Sequence, residues 1–157
     1  MLDLGCWPGG WLEVAGRAVG PGGRVVGVDL EALDAPPAQP NTVALQGDLT
    51  DPALAETLLR ELGARADAVL CDAAPKLTGV RATDRAREEA LLEALAALLP
   101  GLLRPGGSLV TKILESPEAQ DVGKRIRARF ESAKTLRPRA TRKGSSERYL
   151  LARGFRG

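Results

Sequence analysis

Apolar positions along this chain alternate between two spacings, short β-branched or aliphatic runs and longer stretches repeating every three to four residues. Leu2 and Leu4, flanking Asp3, read as the end of a buried strand, and Gly5-Cys6-Trp7-Pro8-Gly9-Gly10 turns the chain into a helix begun near Trp11. That helix carries an Ala/Val/Leu face over Leu12 to Val19 and stops at Gly20-Pro21-Gly22-Gly23. Arg24 to Asp29 is a β-branched strand that finishes on a carboxylate. An irregular connection through Pro36, Pro37 and Pro40 leads to a third strand, Thr42 to Gln46, closed by Gly47-Asp48. Thr50 or Asp51 is placed to cap the next helix, with Pro52 in its first turn and Leu54, Leu58, Leu59 and Leu62 at helical spacing. Ala66 to Cys71 predicts a fourth strand. Thr83 or Asp84 starts a long helix whose Leu91, Leu95, Leu98 and Leu102 face inward. A turn at Arg104 to Gly107 precedes a fifth strand, Ser108 to Leu114, and a further helix runs from about Pro117 to Phe130. Lys134 to Arg137 and Arg148 to Arg153 close the chain as an antiparallel hairpin around a basic loop.

Strands and helices that alternate in this way predict an α/β fold, a mostly parallel sheet with helices on both faces. The 157 residues suit one domain with a real core, and 44% hydrophobic with 27% charged residues describes an ordinary globular protein. No apolar run reaches the ~18 residues of a membrane span, and no leader precedes the first strand, so a cytoplasmic protein without membrane partners is expected. Cys6 and Cys71 stand far apart without a partner motif and histidine is absent, which leaves too few ligands for a zinc site. The net charge of +2 conceals an asymmetry. Residues 1–120 hold 10 Lys+Arg against 17 Asp+Glu, whereas residues 121–157 hold 12 against 3. The last quarter is therefore a basic surface of the kind a phosphate backbone attracts, although a solvated helix face and a basic loop would give the same counts.

The opening turn is where chemistry first enters. A strand that runs through glycines into a helix brings backbone and a helix N-terminus close to a cofactor. The spacing does not match the dinucleotide fingerprint, because Trp7 occupies the second glycine position and Pro8 removes a donor. A nucleoside cofactor without a pyrophosphate fits better; a plain tight turn is the other reading. Asp29, Asp48 and Asp72 each lie where a strand gives way to a loop, the edge at which ligands bind in open α/β sheets. Asp29 is placed for ribose hydroxyls and Asp48 for the exocyclic amine of an adenine. Each alone reads as a turn or helix cap, but three on one edge beside a glycine turn point to a ligand. Lys112 is a lysine in an otherwise apolar strand, where burial would lower its ammonium toward a usable base, with Asp72 close enough to tune it. A salt bridge between Lys112 and Asp72 with no chemistry is the level alternative. Glu147, at the start of the last strand, could complete the set.

Six motifs in order carry a resemblance over nearly the whole chain, from Asp3 to about Arg153. They are Asp3-Leu4-Gly5-x-x-Pro8-Gly9-Gly10-Trp11, Gly27-Val28-Asp29-Leu30, Gln46-Gly47-Asp48, Asp72-x-Ala74-Pro75, Pro105-Gly106-Gly107-Ser108-Leu109-Val110-x-Lys112 and Ser145-Ser146-Glu147-x-Tyr149. Together they resemble the RrmJ/FtsJ family of S-adenosylmethionine-dependent RNA ribose 2′-O-methyltransferases. The resemblance implies a Rossmann-like methyltransferase fold, a mostly parallel seven-stranded sheet with an antiparallel last strand. It implies that Gly5, Gly9, Trp11, Asp29, Asp48 and Asp72 surround S-adenosylmethionine, and that Lys112 accepts a proton, with Asp72 and Glu147 in the catalytic set. The partner it implies is RNA, ribosomal by family default; a monomer without metal is the accompanying expectation.

Two departures from the family pattern accompany the match. The family's catalytic set begins with a lysine in a helical segment ahead of the first strand, and this chain starts at that strand. The expectation is thus one methyltransferase domain over residues 1–157 that lacks the N-terminal segment, either a truncated form or one in which another basic group serves; Lys76 is the candidate, against simple surface solvation. Cys6 and Trp7 stand where small residues are usual, altering the fit around methionine. Two readings from other classes stay open, a catalytically silent RNA- or cofactor-binding module and a methyltransferase for a small molecule or protein. Aromatic residues are only 3% of the chain, so RNA recognition is expected to rest on backbone and shape.

Overall fold

All seven expected strands are present in the computed structural model, which describes residues 1–76, 78–114, 116–137 and 148–157. They are β1 (Leu2–Leu4), β2 (Val25–Asp29), β3 (Thr42–Gln46), β4 (Ala66–Cys71), β5 (Leu103–Lys112), β6 (Phe130–Leu136) and β7 (Tyr149–Phe155). One sheet holds them in the order β3-β2-β1-β4-β5-β7-β6. Neighbours from β3 to β5 run parallel, and β7 is antiparallel to both β5 and β6, as the family resemblance implies. The helices are α1 (Gly10–Val19), α2 (Leu54–Leu62), α3 (Arg81–Leu102) and α4 (Pro117–Ala128).

Strand alternation divides the core unequally. Leu2, Leu4, Val26, Val28, Val69 and Leu109 join Leu58, Leu95, Leu99, Val122 and Ile126 in one large cluster under α2, α3 and α4. On the opposite face Cys6, Leu12, Ala15 and Val25 form a small cluster under α1. Asp3 belongs to this second face, in register with Gly27 and Leu70.

Several boundaries differ from expectation, and at α2 and α3 local hydrogen bonding outweighs the pattern. Helix α2 starts at Leu54, not at Pro52, since Asp51 uses its Oδ1 to accept from the Ala53 N–H and closes a turn first. Helix α3 starts earlier, at Arg81, and Asp84 instead accepts from Thr78 N, Thr78 Oγ and Gly79 N, fastening the loop ahead of the helix. Leu92 and Leu99 are buried with the expected leucines, while Leu91 is only partly covered. The Arg104–Gly107 turn lies inside β5 as a bulge, so pairing jumps from Ala66–Leu103 to Ala68–Ser108. The strand then ends at Lys112, before Ile113 and Leu114. Helix α4 ends at Ala128, and Phe130 instead opens β6, its ring 5.1 Å from that of Phe155. Only part of the expected basic loop can be placed, because residues 138–147 lie outside the described residues.

Candidate active site

The carboxyl ends of β2, β1 and β4 are laced together by backbone. Gly5 and Cys6 donate their N–H groups to Val28 O at 2.8 and 3.2 Å, and Asp72 N donates to Leu4 O at 3.1 Å. Gly5 has φ 82°, and a Cβ there would lie 2.5 Å from the backbone N and Cα of Ala73. Glycine is thus required for the turn to lie against the end of β4, and the space beside it belongs to Ala73. Gly9, at φ 107°, is the N-cap of α1; no side chain caps this helix, and a Cβ on Gly10 would meet nothing within 4 Å. The first-turn N–H groups are consequently left to a ligand or to solvent.

Asp29 bridges the turn from the other side, its Oδ2 accepting from Trp7 N at 2.9 Å and its Oδ1 from Glu31 N at 3.0 Å. Each carboxylate oxygen keeps capacity for a further donor such as a ribose hydroxyl. Asp48 follows β3 and is exposed; Thr50 N and Thr50 Oγ both donate to its Oδ1, and these bonds hold its carboxyl below the ordinary value. The turn-forming role anticipated for a lone aspartate is therefore real at Asp48, one strand beyond Asp29.

Lys112 and Asp72 meet across β5 and β4. Lys112 Nζ is 2.9 Å from Asp72 Oδ1, with side chains 16% and 27% exposed. The same Oδ1 accepts the hydroxyl of Tyr149 at 2.9 Å, and Tyr149 is the β7 residue in register with Lys112. The Trp11 ring, on the first turn of α1, lies 5.3 Å from the Tyr149 ring. Trp11 thereby ties the glycine turn to the Lys112–Asp72 pair, two regions well separated in sequence. Glu147 lies outside the described residues.

Beneath this rim Asp3 is fully buried, and neither carboxylate oxygen has a hydrogen-bond partner among the described residues. Burial, then the negative charges of Asp72 and Asp29, push its carboxyl up to about 7. Its signal in the sequence was a carboxylate within an apolar strand. Tyr149, the chain's single tyrosine, was likewise passed over as a site residue; its register opposite Lys112 could have found it. Cys6 is buried, its thiol pushed up to about 12 chiefly by burial, and burial pushes Cys71 up to about 11, so neither is a ready nucleophile. Trp7 stays half-exposed. Lys76 pairs at 2.6 Å with Glu31 on the surface and does not join Lys112.

The donor set has a definite chemical preference. Three carboxylates, one without a partner, gather beside an uncapped helix N-terminus, a combination suited to a ligand that carries cationic groups, a carboxylate and a ribose diol. Among the described residues no group of three His, Cys, Asp or Glu side chains is arranged to hold a metal ion, and no helix is long and apolar enough to cross a membrane.

A family model described as FtsJ-like methyltransferase matches residues 1–155. Ribosomal RNA large subunit methyltransferase E of Methanothermobacter thermautotrophicus is 42% identical over 157 residues, covering 100% of this chain and 74% of that protein. The protein of the same name from Cenarchaeum symbiosum is 41% identical, covering 100% and 78%. Among solved structures, a Plasmodium falciparum protein described as a ribosomal RNA methyltransferase superposes with a TM-score of 0.79 at 24% identity, over 99% of this chain and 86% of the other, a likeness of fold.

Proposed function

The chain belongs to the FtsJ-like methyltransferase family, which uses S-adenosylmethionine as methyl donor, and from that membership we propose that it methylates a ribose 2′-hydroxyl of ribosomal RNA with Lys112 as proton acceptor. The observation that carries the reading is the pairing of Lys112 with Asp72 at 2.9 Å on the rim of the crevice formed by the glycine turn and Asp29. Bound S-adenosylmethionine supplies a methyl group on a sulfonium that is already a strong electrophile. Asp29 would hold the ribose, Gly9 and the α1 N-terminus the carboxylate, Trp11 and Asp72 the methionine end, and Asp48 the adenine. The buried Asp3 carboxyl, without a hydrogen-bond partner among the described residues, favours a ligand that brings a cationic group to the same place.

What remains for the protein is to orient an alcohol and remove its proton. An ammonium has no lone pair, so Lys112 would have to release one proton to solvent before it could accept another. The free amine would then take the 2′-hydroxyl proton, leaving the ribose oxygen to receive the methyl group that the cofactor would supply. Asp72 keeps Nζ aimed throughout and Tyr149 keeps Asp72 in place. Orientation of this kind contributes ~7–11 kcal/mol and a placed base ~10²–10⁴-fold. Glu147, two positions ahead of β7 in the sequence and outside the described residues, would complete the catalytic set. The reading puts the protein in the cytoplasm, where its RNA is found, as a monomer.

The test is transfer of a labelled methyl from S-adenosylmethionine to large-subunit ribosomal RNA, followed by digestion to nucleosides. Label on 2′-O-methyl nucleosides is expected, and Lys112→Ala should lower the rate by ~10²–10⁴-fold with cofactor affinity retained. Cofactor binding without any transfer would overturn the reading and leave a silent binding module.

A further inference from the structure

Behind β5, on the face of the sheet opposite α1, a cavity of about 320 Å³ opens between α4 and the β7–β6 edge. Its inner wall is apolar, with Leu92, Ile126 and Leu150, and its outer residues are Arg127, Thr135 and Arg148. Thr111 to Leu114 also line it, so the segment that carries Lys112 separates this cavity from the crevice.

Charge on α4 is not spread evenly around the cavity. Lys124 is paired with Asp121 at 2.7 Å, Arg125 with Glu93, and Arg129 donates to Ala96 O at 2.9 Å, three cations engaged by partners on α4 or α3. Arg127 instead donates to Thr135 Oγ at 3.3 Å and makes no ion pair among the described residues. An apolar slot whose rim holds a guanidinium without a carboxylate suits a flat, weakly polar group attached to an anion. The volume is at the lower end for small-ligand sites, ~300–1,000 Å³, room for a base but not for a helix.

Resting on the function proposed above, we propose that this cavity seats a nucleotide adjacent to the methylated one, its base between the aliphatic walls and its phosphate on Arg127. RNA recognition commonly splays unpaired bases into such sites, and arginine serves both phosphate and base plane. The base is held here by aliphatic walls without an aromatic platform, which adds a base contact to the recognition by backbone and shape expected from a chain with 3% aromatic residues. Seating the neighbour behind β5 would anchor the RNA strand beside the crevice and add to its binding.

Gly123 provides a variant that fills the cavity without disturbing the core. It lines the cavity in the middle of α4, and a Cβ there meets nothing within 4 Å. Gly123→Leu also replaces a poor helix former with a good one. With the full chain and end-labelled large-subunit ribosomal RNA, Gly123→Leu should weaken equilibrium RNA binding about 10-fold or more, the scale of one lost base contact. In the transfer assay it should raise KM for RNA by the same factor with kcat and cofactor affinity little changed. Arg127→Ala should reduce the slope of log affinity against log salt by about one. Wild-type affinity in Gly123→Leu together with an unchanged slope in Arg127→Ala would overturn the cavity assignment. So would normal binding of free RNA with loss only on ribosomal particles, which would assign the cavity to a protein. Absence of transfer by the wild type would instead strike the proposed function, while the binding arm would still decide the cavity.

Discussion

At the β2–β1–β4 edge the polar groups are set by backbone. Gly5 and Cys6 donate their N–H groups to Val28 O, Asp72 donates its own to Leu4 O, and Asp29 accepts from two backbone N–H groups. At the α4–β7–β6 edge the polar groups are side chains held by other side chains, Lys124 by Asp121, Arg125 by Glu93 and Arg127 by Thr135. The first edge is acidic and the second basic, which suits a cationic small cofactor and an anionic polymer respectively. The physical difference is in tolerance. A backbone-set site is preorganised and fails when a single atom is added, as at Gly5, whereas exposed ion pairs contribute little individually and can exchange partners as RNA arrives.

Asp3 exposes the cost of the acidic edge, and its replacement is the largest stability effect expected. The unfolded chain ionises this carboxyl near the ordinary 3.8, and the folded chain holds its proton up to about 7. Between these values the folded state binds the proton that the unfolded state has released, so the Asp3 contribution falls as pH rises from ~4 to ~7 and stays lost above it. The three-unit gap corresponds to roughly 4 kcal/mol. Asp3→Asn should therefore match the wild type near pH 4 and exceed it by up to ~4 kcal/mol near pH 8, read by urea unfolding at each pH. Subtracting the two curves removes carboxyls whose values are lowered, such as Asp48, Asp67 and Asp84. A wild type that gains on the variant as pH rises would mean that Asp3 has a partner.

The same contrast governs what the sequence could reveal. Strand positions were legible because buried parallel strands read as apolar runs, and Asp29, Asp48 and Asp72 because each terminates one. The side on which a carboxyl is used was not, since Asp51 and Asp84 look like helix caps and act on neighbouring turns. The Arg104–Gly107 bulge reads as a turn because proline and glycine signal both. Tyr149 escaped because its partner, Asp72, lies far away in sequence and only the antiparallel register of β7 brings the two together. Basic blocks were visible, yet which cations are already engaged depends on α3, whose Glu93 and Ala96 O face α4.

Tyr149 is where the two edges meet, and Tyr149→Phe should have a smaller effect than loss of Lys112. The variant removes the hydroxyl bond to Asp72 Oδ1 while keeping the ring against Trp11. Hydrogen bonds to charged groups contribute ~1.5–3 kcal/mol, so a fall in kcat of about 10-fold or more is expected, with cofactor affinity nearly unchanged. Equal losses in cofactor affinity and kcat would instead make Tyr149 a packing residue for the crevice.

Lys76 should give the smallest effect, and it decides whether the acidic edge contains a second catalytic cation. The loop after β4 carries Lys76 close to Asp72 in sequence, which made it a candidate for a further basic group in the catalytic set. Its ammonium instead donates to Glu31 at 2.6 Å, on the β2 side of the turn, and that bond raises its value above the ordinary lysine range. A lysine held protonated by Glu31 has no lone pair with which to accept a proton. Both partners are exposed, so solvent screens the pair and its loss should leave folding unchanged. Lys76→Ala should accordingly transfer methyl groups at the wild-type rate, while Lys112→Ala in the same assay does not. A loss in Lys76→Ala comparable to that in Lys112→Ala would mean that the Glu31 pair opens when RNA binds and that the acidic edge recruits its cation from the surface.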